Sequence, residues 1–89
     1  MRLTRHVLDE IAQRGLERTW VERVAVNPEW SDLSRRRSGV VLRFGRIAEA
    51  RHKVLRVTTI DEGGVRIVLT AHFDRKATRA RRKPDADGL

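Results

Sequence analysis

Arg56, Arg66, Thr70 and His72 are the residues whose types suit chemistry on a phosphate. Histidine has an unperturbed pKa near neutrality and moves protons in either direction at physiological pH. Arginine offers a planar fork of donors to a phosphate, and beside a reacting phosphodiester it stabilises the charge that develops there. His72 and Arg56 are therefore the candidate catalytic pair. Arg43, Arg66, Arg75, Lys76 and Arg79 are the candidate nucleic-acid-binding residues, flanked by the run Arg35-Arg36-Arg37. A second reading stands beside this one. Open antiparallel sheet faces are solvated, arginines there keep them soluble, and a lone strand histidine more often serves structure.

Other chemistries find little support. The chain has no Cys, so disulfides and thiolate metal sites are excluded. His6, His52 and His72 are scattered and make no zinc-type spacing, and no metal or cofactor is expected. Gly63-Gly64 reads as a turn and not as a phosphate loop. With two Trp, two Phe and no Tyr, base stacking in the manner of an RNA-recognition sheet is not expected. No apolar run approaches a membrane span, and the first residues lack the apolar core of a signal peptide, so a cytoplasmic protein is expected.

Charge points to the partner. Net charge is +8 over 89 residues. Residues 1–34 carry five Arg against six acids, whereas residues 35–83 carry fifteen Lys and Arg against four. Seventeen of the twenty cations are Arg. A polyanion is the favoured partner, either a nucleic acid or an acidic protein.

The elements that must position these residues follow from periodicity. Leu3, Val7, Leu8, Ile11 and Ala12 make one apolar stripe on a helix from Arg5 to Arg14, with Thr4 as N-cap and Asp9 and Glu10 on the opposite side. Gly15 ends it, and Leu16 tucks into the core at the corner. A second helix runs from Arg18 to Val26, with Trp20, Val21, Val24 and Ala25 on its apolar stripe, and Asn27-Pro28 stops it. Residues 29–38 read as a loop in which Trp30 either covers a core edge or stands exposed. Three strands follow, at Val40–Ile47, Val54–Ile60 and Val65–Phe73. In the last, Val65, Ile67, Leu69, Ala71 and Phe73 are expected on the buried face and Arg66, Val68, Thr70 and His72 on the open one. By the same alternation Val40, Leu42 and Phe44 are set apart from Arg43, and Leu55 and Val57 from Arg56. The expectation is a single α+β domain over residues 1–76, two antiparallel helices on a three-stranded or slightly larger antiparallel sheet, with Arg43, Arg56, Arg66, Thr70 and His72 sharing the open face. Residues 77–89 are expected to form a basic, disordered tail.

Taken in order, Thr4-Arg5-His6 opening a helix, Gln13-Arg14-Gly15-Leu16 between helices, Asn27-Pro28, Val54-Leu55-Arg56-Val57 and Ile67-Val68-Leu69-Thr70-Ala71 resemble the bacterial family called domain of unknown function 4258. That family is grouped with the RelE/ParE-like and BrnT-like toxin fold. The resemblance spans residues 3–76. It implies a RelE-like toxin fold and a toxin-like, RNA-binding activity, which in some relatives is metal-independent ribonuclease activity. It also implies RNA or the ribosome as target and an acidic antitoxin as partner. His6, Arg14 and Gly15 match the family's recurrent motif, with His6 expected to bond across to the sheet and fix the helix. Arg56, Thr70 and Arg75 fall where toxins of this fold place polar residues. A non-catalytic module binding nucleic acid or an acidic protein through the same face is the alternative. Glu17 stands where the family often has a capping Ser, Thr or Asp.

Overall fold

Thr4 sets the first helix. In the computed structural model, which describes residues 1–81, its hydroxyl accepts the Val7 N–H at 3.1 Å. Helix α1 (Arg5–Arg14) ends at Gly15, whose φ of 66° is the left-handed conformation that glycine enters without a Cβ clash. Leu16 turns into the core, and α2 (Arg18–Val26) follows. The strands are β1 (Arg2–Leu3), β2 (Trp30–Leu33), β3 (Val40–Ile47), β4 (Lys53–Glu62) and β5 (Val65–Phe73), and a short helix α3 (Arg75–Arg81) closes the described chain. They build one five-stranded sheet in the order β1-β5-β4-β3-β2. The fold class is α+β.

Helices α1 and α2 cover one face of this sheet. Val7, Val21, Val24 and Ala25 from the helices meet Ile47, Leu55, Val57, Val68 and Ala71 from the strands, all 2 % exposed or less. Each Val, Leu or Ile among them contributes about 2 kcal/mol by leaving water, and the two Ala less. The stripe of α1 is narrower than its sequence suggests. Leu8 is 37 % exposed and Ala12 is exposed, whereas Glu10, expected on the far side, is buried.

Three elements differ from the sequence reading. β1 pairs parallel to β5, so the sheet is mixed and not purely antiparallel. β2 forms within the expected loop, pairing Trp30–Leu33 with Val41–Phe44. α3 takes in residues 77–81 of the expected tail, while residues 82–89 lie outside the described residues.

The faces of β5 are set by a bulge. Thr58 pairs with Thr70 but Thr59 pairs with Val68, which leaves Leu69 without an opposite residue. One extra residue reverses the alternation. Ala71 beyond the bulge and Val68 before it both enter the helix-side core. The bulge lies where β1 gives way to α1. There the Thr4 N–H donates to the Val68 carbonyl at 3.2 Å and its hydroxyl to the Leu69 carbonyl at 3.4 Å. Past that point the outer edge of β5 has no strand partner, and the Ala71 N–H donates instead to Glu10 Oε1 at 2.9 Å. A buried amide needs an acceptor, and this is why Glu10 turns inward.

The phase of β3 is fixed by Gly45. A Cβ there would lie 3.0 Å from Val24 of α2, so the missing side chain admits the helix. Val41, Arg43, Gly45 and Ile47 thus face the helices, and Val40, Leu42 and Phe44 face the other way. Apolar residues occupy both parities of this strand, and the alternation alone pointed to the wrong side.

Candidate nucleic-acid interface

Register assembles the candidate site. Trp30 pairs with Phe44, Phe44 with Arg56, and Arg56 with His72. These four form one row across β2, β3, β4 and β5 on the face away from α1 and α2, because directly opposed residues share a face. The next row is Asp32, Leu42, Thr58 and Thr70. The Thr58 and Thr70 hydroxyls bond each other.

Arg56 and His72 are in contact. Arg56 Nη2 lies 3.0 Å from His72 Nε2, and His72 Nδ1 lies 3.1 Å from the Phe73 carbonyl. A guanidinium only donates and a carbonyl only accepts. The network therefore assigns the ring proton to Nδ1 and leaves the Nε2 lone pair facing Arg56. Arg56 Nη1 lies 3.7 Å from Asp74 Oδ2, and its buried Nε has no acceptor. Asp74 also accepts the Ala77 N–H at 2.8 Å and so caps α3. Thr78 anchors that helix by accepting the Val54 N–H at 2.8 Å. At its far end the Arg81 guanidinium lies 4.1 Å from the centre of the Trp30 ring. α3 spans about 10 Å, which matches two strand spacings from Arg56 to Trp30. It therefore crosses one end of this face with Arg75, Lys76 and Arg79 exposed.

The loop from β2 to β3 borders the face on the other side. Ser34 shapes it: its hydroxyl accepts the N–H of Arg36 at 3.2 Å and of Arg37 at 3.3 Å. Between loop and sheet lies an open cleft of about 620 Å³ lined by Arg35, Arg36, Arg56, Thr58, Leu42 and Asp32, with Leu33 and Ser34 at its margin. Three cations face one carboxylate there.

Two expected members belong elsewhere. Arg66 precedes the bulge and so lies on the helix side. Its fork grips Asp61 at 2.9 and 3.2 Å and its Nη1 donates to the Ala25 carbonyl in the last turn of α2 at 3.1 Å. That Arg66 bond holds the Asp61 carboxyl below the usual carboxylate range. Arg43 also faces the helix side and donates from Nε to Thr59 Oγ1 at 2.8 Å. Burial, then the charge of Arg66, lowers its pKa. Neither shares a face with His72, so the expected five-residue open face reduces to Arg56, Thr70 and His72.

His6 does not bond across to the sheet. It is mostly exposed, with Nε2 3.6 Å from Glu10 Oε2, and Arg14 Nη2 lies 3.4 Å from the same oxygen. Glu10 makes the link to the sheet, and His6 and Arg14 flank it one turn away on either side. Sequence reasoning also missed Trp30 and Thr58 as members of the site. Their signal was present in the alternation of β2 with Asp32 and of β4 with Arg56, but β2 was read as loop.

Among the described residues no group of three or more His, Asp or Glu is placed to hold a metal ion, and no helix is long and apolar enough to cross a membrane. No family model, no curated protein and no solved structure matches this chain.

Proposed function

We propose that this chain is an RNA-binding domain that takes the phosphate backbone of a single strand in the cleft over Arg56, with Arg35 and Arg36 closing on it. One contrast carries the reading. Five arginines of the helix side are neutralised, Arg5 by Asp9, Arg14 by Glu10, Arg18 by Glu22, Arg23 by Glu49 and Arg66 by Asp61, while Arg43 there is held by Thr59. Arg35, Arg36, Arg37, Arg75, Lys76 and Arg79, which border the cleft and cover α3, make no ion pair among the described residues. A phosphate chain is the partner that unpaired guanidinium groups in a cleft accept best. RNA is the target of the small ribonucleases among the RelE/ParE-like and BrnT-like toxins that the chain resembles, a group that also includes toxins with other targets. The resemblance also supplies a competitor for the same face, an acidic antitoxin.

The test is anisotropy of a labelled single-stranded RNA at low salt. The wild-type chain binds, and Arg35→Ala with Arg36→Ala weakens binding at least roughly tenfold, the loss expected when charge-assisted bonds are removed. Arg5→Ala, which breaks an exposed pair on α1, leaves affinity unchanged. No binding at low salt, or equal losses in both variants, sinks the proposal.

A second reading, metal-independent cleavage, is favoured by the Arg56–His72 contact. When Arg56 turns its fork to a phosphate, the His72 Nε2 lone pair is released to take a proton from the 2′-hydroxyl. That oxygen then attacks phosphorus, the P–O5′ bond breaks to leave a 2′,3′-cyclic phosphate, and the departing 5′-oxygen takes a proton from solvent water. Cuts that persist in chelator and vanish in His72→Gln support this reading. Intact RNA under conditions of full binding leaves a binding module that does not cut.

A further inference from the structure

The row that holds Arg56 and His72 begins with an indole. Trp30 is half-buried at the edge of the sheet, stacked on Phe44 with ring centres 5.0 Å apart and planes 4° from parallel. The Arg81 guanidinium lies over the same indole at 4.1 Å. A flat cation on an indole occupies the place a nucleobase takes when it stacks. An exposed cation–π contact is also the weaker of the two. Phe44 supports one face of the indole by stacking, so the platform is in place within the sheet. From Trp30 to Arg56 the register counts two strand steps, about 10 Å, close enough for one nucleic-acid strand to reach both.

We propose that Trp30 is a base-stacking platform of this interface and that Arg81 covers it until RNA arrives. The assignment rests on the RNA-binding reading above and adds what that reading lacks, a contact to the base. A phosphate cleft alone takes any polyanion, including an acidic protein. A stacking indole beside it selects single strands with their bases free, because paired bases present no face. It remains tolerant of sequence, since every base has a flat face. Asp32 and Thr58 in the adjoining row are then polar side chains on the same face that a base edge or a ribose hydroxyl can meet.

The experiment uses two probes of equal length, single-stranded oligoadenylate RNA and its abasic counterpart, and a Trp20→Phe chain in which Trp30 is the remaining tryptophan. Oligoadenylate quenches Trp30 emission with the midpoint seen by anisotropy. The abasic strand binds roughly tenfold more weakly and leaves emission unchanged, in line with the worth of one stacked base. Trp30→Leu erases the difference between the probes while keeping abasic affinity. Arg81→Ala makes Trp30 more open to acrylamide before RNA is added. Equal affinity for the two probes with unchanged emission overturns the platform and leaves the phosphate cleft standing. Failure of both probes to bind overturns the cleft reading and the platform with it. If Trp30→Leu does not fold, the emission and affinity comparison on the Trp20→Phe chain decides alone.

Discussion

Glu10 shows how one side chain converts a local pattern into a fold. The bulge at Leu69 leaves the Ala71 amide facing an edge that no strand covers, and Glu10 accepts it from α1 at 2.9 Å. Removing that acceptor leaves a buried donor unpaired. Glu10→Ala is expected to lower stability by about 2 kcal/mol in chemical denaturation. Glu10→Gln retains an acceptor oxygen and is expected to lose less than half of that. Equal losses would mean that the carboxylate's charge, through His6 and Arg14, matters more than the bond to Ala71. Arg66 makes the complementary case. It fastens the β4–β5 turn to the last turn of α2, where a cation also meets the helix dipole favourably. Arg66→Ala should cost about 1 kcal/mol of stability, as a partly exposed charged bond does. Because it lies on the helix side, RNA affinity should hardly move. Loss of RNA binding in a folded Arg66→Ala chain would restore it to the interface from which the bulge removes it.

The β3–β4 hairpin carries the elements of the site, and its turn is tied to α2. After one turn of 3-10 helix at Ala48–Ala50, Arg51 and His52 both take positive φ, 58° and 61°, and Ile47 meets Lys53. Arg23 of α2 holds Glu49 in that turn through two bonds, at 3.2 and 2.9 Å. The Arg23 bond draws the Glu49 carboxyl down to about 2 from an ordinary 4.5. A carboxyl depressed in the folded state binds its proton less readily there than in the unfolded chain. Its contribution is complete above about 4.5 and is lost as pH falls toward 2. The stability gap between wild type and Glu49→Gln should therefore be open near neutral pH and closed at about pH 2, as read from thermal melts. A gap that does not change with pH would show that the turn holds without the ion pair. Helices α1 and α2 and the three long strands were legible in the sequence, because caps, breakers and alternation all agree there. β2 was not, since four residues with Asp and Ser among them read as loop until β3 pairs with them. The placement of His72, Thr70 and Arg56 on one face was legible. That of Arg66 was not, because a bulge inverts parity without any change of residue type, and that of Arg43 was not, because β3 is apolar on both sides and only the close approach of α2 to Gly45 decides between them.

Across the whole molecule the two faces of the sheet divide charge as they divide work. The helix face pairs five arginines with acids, ties Arg43 to Thr59 and so spends them on packing. The opposite face keeps cations at the Ser34 loop and on α3 without acid partners, 8 charges in excess over the chain as a whole. This distribution predicts a salt dependence that packing alone would not give. Each phosphate neutralised on a single strand contributes about −0.7 to the slope of log K against log salt. Contacts from Arg35, Arg36 and Arg56 alone give a slope of about −2, and a strand that also runs along Arg75, Lys76 and Arg79 gives about −4. Arg35→Ala with Arg36→Ala should then flatten the slope by about 1.4, whereas Arg66→Ala should leave it as it was. Arg75→Ala with Arg79→Ala tells the short path from the long one. If the slope stays near −2 in that variant, the strand ends in the cleft and α3 serves only to hold Arg81 over Trp30. A slope that changes equally for cations of either face would mean that the molecule attracts RNA by net charge without a site, and the cleft, the row and the indole would lose their common explanation.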